Sequence, residues 1–345
     1  MDHELYMKRC LDLAKLGLGN VAPNPLVGCV IVFEGEIIGE GFHREFGKHH
    51  AEVNAILSVK DKSLLKKSTL YVNLEPCTHF GKTPPCTDII IKHKIPHVVI
   101  GAIDDHDIVA GKGYNRLKEQ GVFVEVDILK KECIFLNKRF YTAHNKKRPY
   151  IFLKWAETKD GFISKISNDN KPIKENWISG ESSKVLSHKM RASEQAILIG
   201  KNTAIIDNPS LNTRLIDGNS PLRIVMCDTI EGLEQLKLIT DDYPTLIFNR
   251  KLNKLTENKE FIQFDGSINE LLRILLERGI QSIIVEGGTN IINQFIKTDL
   301  WDETFQLIGN KKFNNGLIAP KLKVFDNKKS YSSGDDIVNH FYRCT

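Results

Sequence analysis

His50 and Glu52 stand two residues apart at the start of a predicted helix, and two cysteines follow prolines, Cys77 after Pro76 and Cys86 after Pro84-Pro85. One imidazole and two thiolates suit zinc. Three protein ligands leave a fourth tetrahedral position for water, whose pKa then falls to roughly 7. Helix starts also favour anionic thiolates. Glu52 lies close enough to such a water to carry its proton to a leaving amine, and it is not needed as a ligand. Histidine, non-ligand glutamate and paired cysteines together form the pattern of a hydrolytic zinc deaminase. One departure is visible: the cysteines enclose eight residues, Thr78 to Pro85, where the general pattern has two. Each fragment alone has a plainer reading, a chance His-x-Glu and two buried thiols. A structural zinc site is the competitor for the whole set, and it requires a fourth protein ligand, for which His79 is the candidate.

A second set of residues is weaker. Glu286-Gly287-Gly288 follows the apolar run Ser282 to Val285 and precedes a helix starting near Thr289, where glycines let a phosphate approach backbone donors. The same residues also suit an ordinary strand-to-helix turn. Lys154 with Asp160-Gly161 reads equally as a strand-end ion pair and a turn. Gly111 and Gly113 lack the third glycine of a dinucleotide fingerprint.

The elements that must hold these residues alternate between helix and strand. Leu5, Tyr6, Cys10, Leu13, Ala14 and Leu16 recur at helical spacing and predict a helix over 2–16, stopped by Gly17 and Gly19. A hairpin is predicted over 27–33 and 36–42, turned at Glu34-Gly35. Strands at 69–73, 98–102 and 123–127 then alternate with helices near 51–58, 86–93 and 112–120, which predicts a layered α/β domain. The polar run Ala143 to Pro149 reads as a linker, and the sequence divides into 1–145 and 146–345. A second α/β pattern follows, with strands at 150–156, 196–199, 223–227, 245–249, 261–264 and 282–286.

Composition narrows the class. The chain of 345 residues, 41% hydrophobic and 26% charged, has the make-up of about two packed domains. No apolar run approaches the roughly 18 residues of a membrane helix, and no basic head with an apolar stretch opens the chain, so a soluble, cytoplasmic protein is expected. A net charge of +5 over both halves makes nucleic-acid binding by charge alone unattractive. Seven cysteines, an odd number spread over the whole chain, predict reduced thiols rather than a disulfide framework.

With these residues in view, the sequence resembles the bifunctional deaminase–reductases of riboflavin biosynthesis from about residue 3 to the C-terminus. The anchors are P-N-P-L-V-G-C-V at 23–30, G-E-G-F-H at 39–43, H-A-E at 50–52 and L-E-P-C-T-H-F-G-K-T-P-P-C at 74–86. The eight-residue cysteine spacing is that family's own. The resemblance implies a cytidine-deaminase-like three-layer α/β/α domain followed by a dihydrofolate-reductase-like α/β domain. It implies zinc on His50, Cys77 and Cys86, Glu52 as proton shuttle, and Asn24, His43, His79 and Lys82 as substrate contacts. Asn24 offers both a donor and an acceptor to a pyrimidine edge, and Lys82 a cation to a phosphate. Without the resemblance, Asn24 reads as a turn residue between prolines and Lys82 as a solvated loop charge.

The second half resembles that family's reductase domain in L-K-W-A-E-T-K-D-G at 153–161, W-I-S-G at 177–180 and the run from Arg191 through Gly200, Thr203, Asp207, Pro209, Leu211 and Arg214. The resemblance implies NADPH on Ala156, Trp177, Thr203, Asp207, Thr229 and the backbone from Gly288. It implies substrate on Arg191, Leu211, Arg214 and Glu286, with the arginines on its phosphate. Lys154 would polarise or protonate the sugar. Departures stand at His106, where an asparagine is usual, at Glu175 for serine, at Gln195 for aspartate, and in a longer run over 162–176. The expected substrate is a pyrimidine ribosylamine phosphate, deaminated and then reduced in its ribosyl chain. A homo-oligomer with no membrane or nucleic-acid partner is expected. The competing reading keeps the deaminase and makes the second half an idle scaffold.

Overall fold

The structure is a computed structural model that describes residues 2–80, 84–103, 111–166 and 177–343. Lys82, His106 and Glu175, three of the positions singled out in the sequence, lie outside the described residues, as does most of the 162–176 run. The chain divides after Lys146 into two compact units.

In the first unit the order is α1 (His3–Lys15), β1 (Gly28–Phe33), β2 (Glu36–Phe42), α2 (Ala51–Ser58), β3 (Thr69–Leu74), α3 (Cys86–Lys92), β4 (His97–Ala102), α4 (Lys112–Glu119), β5 (Phe123–Glu125), α5 (Lys130–Leu136) and α6 (Lys138–Asn145). The sheet runs β2-β1-β3-β4-β5, antiparallel across β2, β1 and β3 and parallel from β3 to β5. Successive strand side chains face opposite sides. Cys29, Ile31, Leu70, Val72, Val98 and Ile100 therefore meet Ala55 and Ile56 of α2, Ile90 of α3 and Leu117 of α4. Val30, Val32, Tyr71 and Val99 meet Met7, Cys10 and Leu11 of α1 and Cys133 of α5 on the other face. Burial on both faces explains why β1, β3 and β4 carry apolar runs such as Val30–Phe33, Leu70–Val72 and Val98–Ile100 rather than an alternating pattern. Glycine permits the closest layer contact: a Cβ on Gly28 would lie 2.0 Å from the Cys10 carbonyl oxygen.

The second unit carries β6 (Tyr150–Thr158), β7 (Phe162–Ser164), α7 (Glu181–Ser193), β8 (Ala196–Gly200), α8 (Lys201–Asp207), β9 (Leu222–Met226), α9 (Lys237–Thr240), β10 (Thr245–Asn249), β11 (Lys254–Leu255) and β12 (Lys259–Gln263). It continues with α10 (Ile268–Glu277), β13 (Ser282–Glu286), α11 (Thr289–Lys297), β14 (Glu303–Gly309), β15 (Leu317–Ile318), β16 (Asn327–Ser333) and β17 (Asp336–Tyr342). Its main sheet runs β11-β12-β10-β9-β8-β13-β6-β14-β17-β16, parallel from β12 to β14. One face packs on α10 and α11 through Leu271, Leu275, Ile292 and Phe295. The opposite face packs on Ala204 of α8, Leu238 of α9 and Met190 of α7.

Several elements differ from the sequence expectation. The strand expected over 123–127 ends at Glu125, and Asp127 takes a left-handed φ of 68°. Helices α5 and α6 are not expected from the sequence; α5 starts from Leu129 at φ 53°, and α6 follows directly from Asn137, the residue that ends α5. Helix α6 occupies Ala143–Asn145, the first residues of the stretch read as a linker. The hairpin of β16 and β17 carries no strand signal in the sequence because the edge strand β16, N-K-K-S-Y-S-S, is mostly exposed and has no apolar alternation. No helix among the described residues is long and apolar enough to cross a membrane.

Candidate functional site

Three elements bring the first set together. His50 is the extended residue that caps α2, Cys77 follows β3, and Cys86 opens α3 behind Pro85. His50 Nδ1 lies 3.6 Å from Cys77 Sγ and 3.3 Å from Cys86 Sγ. All three ligand atoms fall within 4.8 Å of one another. Zinc bonds of roughly 2.0–2.3 Å arranged tetrahedrally give ligand separations of roughly 3.5–3.8 Å, so the donors fit this ion in spacing and chemistry. The Cys86 backbone N–H donates to Cys77 Sγ at 3.3 Å. Hydrogen bonds from Cys86 and His50 outweigh burial and pull the Cys77 thiol well below its usual range. Glu52, buried beside them, is raised by burial and then by Cys77 to about 7.

The loop opposite is anchored by two asparagines that no motif announced. Asn73 accepts from the Gly28 N–H at 2.7 Å and donates to the Leu26 carbonyl, while Asn137 accepts from the Leu26 N–H at 2.7 Å and donates to the same carbonyl. Leu26 is thereby fixed two residues after Asn24. His43 Nδ1 faces the His49 carbonyl at 3.1 Å and must donate to it, which leaves Nε2 to accept from Asn24 Nδ2 at 3.1 Å. Both ring nitrogens of His43 are thus engaged within the protein, and burial lowers its pKa. Glu75 accepts from the N–H groups of Gly111 and Tyr114 at 3.1 and 2.9 Å. Helix α4 meets the cysteine loop so closely that a Cβ on Gly113 would lie 2.2 Å from the Pro76 oxygen. His79 is exposed in that loop and is not among the three converging ligands.

In the second unit a cavity of about 980 Å³ lies at the C-terminal ends of the parallel strands. Lys154 and Ala156 of β6, Glu286 of β13 and Arg191 of α7 line it, together with Leu211, Arg214 and Trp177. Thr203 and Asp207 of α8, Thr229 and Gly288 line it as well. The sequence positions thus gather in one cavity, although they come from segments far apart in the chain. Glu286 Oε2 accepts from Arg191 at 2.8 Å and lies 3.7 Å from Lys154 Nζ. Burial raises the Glu286 carboxyl, but Arg191 and Lys154 overcome it and hold the group down at about 2. Burial lowers Lys154 despite Glu286. His188 Nδ1 accepts the Arg214 N–H at 3.1 Å, and burial with the Arg191 and Arg214 charges lowers this imidazole to about 4.

Two buried polar atoms in this cluster, Glu286 Oε1 and Arg191 Nε, have no hydrogen-bond partner, as expected where a polar ligand completes the set. A glycine cradle lies in the same cavity wall: Gly287 and Gly288 line it before α11, and the Gly288 N–H donates to Thr203 Oγ1 at 2.9 Å. The residues therefore fit a phosphate-bearing cofactor. Gln195 bonds the Gly279 carbonyl and the Gln281 N–H away from the cavity, so its departure from aspartate is a matter of strand-end packing. Lys201, also in the cavity wall, carries no sequence signal.

Comparison with known proteins bears on both units. The family model described as the cytidine and deoxycytidylate deaminase zinc-binding region matches residues 1–102, and that of the RibD C-terminal domain matches residues 149–311. The chain is 38% identical to the riboflavin biosynthesis protein RibD of Aquifex aeolicus over 98% of both chains. It is 40% identical to the protein of that name from Actinobacillus pleuropneumoniae over 83% of this chain and 78% of the relative. A crystal structure of a diaminohydroxyphosphoribosylaminopyrimidine deaminase/5-amino-6-(5-phosphoribosylamino)uracil reductase from Thermotoga maritima is 35% identical, covers 99% of both chains and superposes with a TM-score of 0.88. Acinetobacter baumannii RibD superposes with a TM-score of 0.87 at 28% identity over 99% of each chain.

Proposed function

The chain belongs to the RibD family of riboflavin biosynthesis proteins, and from that premise we propose a bifunctional enzyme of two successive reactions. The first unit hydrolytically deaminates 2,5-diamino-6-ribosylamino-4(3H)-pyrimidinone 5′-phosphate. The second reduces the ribosyl chain of the product to ribityl with NADPH. The observation that carries the reading is the convergence of His50, Cys77 and Cys86 beside the buried Glu52.

His50, Cys77 and Cys86 would hold zinc, which would supply a Lewis acid able to lower the pKa of the attacking water toward neutrality. Glu52 takes the proton from the attacking water and delivers it to the departing amine nitrogen, so that ammonia leaves. Asn24, its amide nitrogen held by His43, turns its carbonyl oxygen to the donor edge of the pyrimidine. His43 thus serves the substrate through Asn24 as well as by proximity. His79 and Lys82 complete the substrate contacts, the lysine on the phosphate.

NADPH supplies the hydride for the second reaction. Lys154, desolvated and beside Glu286, donates a hydrogen bond or a proton to the sugar oxygen as C1′ is reduced. Arg191 and Arg214 take the substrate phosphate, with Leu211 and Glu286 bounding the same end. Ala156, Trp177, Thr203, Asp207, Thr229 and Gly288 hold the cofactor. The match to the RibD C-terminal domain argues against an idle scaffold.

We place the enzyme in the cytoplasm, a reading supported by free thiols at Cys10, Cys29, Cys77, Cys86, Cys133 and Cys227. A homo-oligomer is proposed on the exposed apolar side chains Val324, Phe325 and Ile337 near the sheet edge, and light scattering on the purified chain tests it. The deciding experiment incubates the enzyme with the diaminopyrimidinone phosphate, with and without NADPH, and measures product mass. Replacement of NH by O is expected without NADPH, and two further hydrogens with it. Unchanged mass in both reactions overturns the proposal.

A further inference from the structure

We propose that Lys201 and Thr229 form the seat of the cofactor's 2′-phosphate and make the second unit choose NADPH over NADH. The inference rests on the reductase reading and adds to it a specificity determinant. Across the sheet the strand order is β9-β8-β13-β6, all parallel. Ligands of such sheets lie across the C-terminal strand ends. Lys154 and Ala156, on β6, mark the reacting end of the cavity. Gly287 and Gly288, after β13 and before α11, mark the glycine cradle. Lys201 directly follows β8, and Thr229 lies just beyond β9. Strands are about 4.8 Å apart, so the end of β9 stands roughly 10 Å from that of β13, on the side away from β6. A dinucleotide with its nicotinamide at β6 and its pyrophosphate at the cradle reaches β9 with its adenosine ribose.

The chemistry of the pair selects what is bound there. Lys201 Nζ donates to Thr229 Oγ1 at 2.9 Å, and both side chains line the cavity. Among the described residues Lys201 has no carboxylate within ion-pair distance, and the proton of the Thr229 hydroxyl meets no acceptor. An ammonium with donors to spare and a hydroxyl that accepts from it and keeps its own proton to donate both offer donors to a ligand, the requirement of a phosphate monoester. A bare ribose 2′-hydroxyl is instead read by a carboxylate. Asp228, the acid next to Thr229, also lines the cavity, but its Oδ1 lies 3.4 Å from Arg250 Nε, so a cation already faces this carboxylate. The substrate's phosphate has its own arginines, Arg191 and Arg214.

The test titrates the full-length protein with NADPH and with NADH, following nicotinamide fluorescence, for the wild type, Lys201→Ala and Lys201→Arg. Loss of a charge-assisted contact is expected to weaken NADPH by about tenfold to a hundredfold in Lys201→Ala and to leave NADH within about twofold. Lys201→Arg retains most of the preference. In competition, 2′,5′-ADP displaces NADPH from the wild type better than 5′-ADP does, and Lys201→Ala removes that advantage. Equal weakening of both dinucleotides, or unchanged NADPH binding, overturns the seat. Equal wild-type affinity for NADPH and NADH overturns the seat while the reductase reading stands. A wild type that binds neither overturns both.

Discussion

The two sites are built on opposite plans. In the first unit the converging donor set lies within residues 50–86, at the ends of α2, β3 and α3, and its donors need only be near one another. In the second, the cavity draws on residues from Lys154 to Glu286, spread over β6, α7, α8, β13 and the loops between. A metal site is specified by a few strongly interacting atoms, so residue type and short spacing carry it. A dinucleotide site is specified by many weak contacts over a long surface, so it exists only once the sheet has formed. Local sites should therefore fail through single atoms, and distributed ones by degrees.

The sharpest contrast is expected from Glu52→Gln, which should lower deamination by about 10²–10⁴-fold. Zinc content by elemental analysis and NADPH oxidation with pre-deaminated substrate should both persist; retained deamination would take Glu52 out of the mechanism. Next in size is Glu286→Gln. It leaves Arg191 and Lys154 buried without their counter-charge and should destabilise the second unit by about 3–5 kcal/mol in urea unfolding. The folded Glu286 value of about 2 is depressed, so its stabilisation is present above the unfolded value of roughly 4.3 and is lost as pH falls toward 2. The stability gap between wild type and Glu286→Gln should accordingly close across that window, and a gap independent of pH would show that the carboxylate is not the cause.

Arg214→Ala tests whether the distributed site degrades by degrees. The reductase substrate's KM is expected to rise by roughly tenfold, with deamination spared; an unchanged KM would deny the arginine its phosphate. Asn73→Ala probes the frame of the local site. Losing its bonds to Gly28 and Leu26 should cost about 1–3 kcal/mol in first-unit stability and lower deaminase turnover modestly by loosening Asn24. A deaminase rate that falls as far as in Glu52→Gln would mean that the frame, not the proton carrier, sets the rate.

The legibility of the fold follows the same division. Runs such as Val27 to Phe33 and Val98 to Ala102 announce their strands because burial on both faces demands apolar residues at every position. Edge strand β16 carries no such mark, since it is polar and solvent-facing, and α5 and α6 are seven- and eight-residue helices joined at Asn137 with only a few buried positions each. Asn73, a fully buried asparagine inside T-L-Y-V-N-L, was a signal available to be read, because a polar residue in a buried strand must find partners. Asn137 and Lys201 had none.

From its order of residues alone this protein declares a zinc-type donor set with a glutamate at hand, two α/β halves and a family likeness along nearly the whole chain. These are properties of short spacings and repeated patterns, and they survive without coordinates. Tertiary structure alone decided that Asn24 is aimed by His43, that Asn73 and Asn137 clamp the loop between them, and that Arg191, Lys154 and Glu286 share one buried cluster. Each depends on hydrogen bonds or charges brought together from distant segments, and strand order, not sequence distance, sets which groups meet.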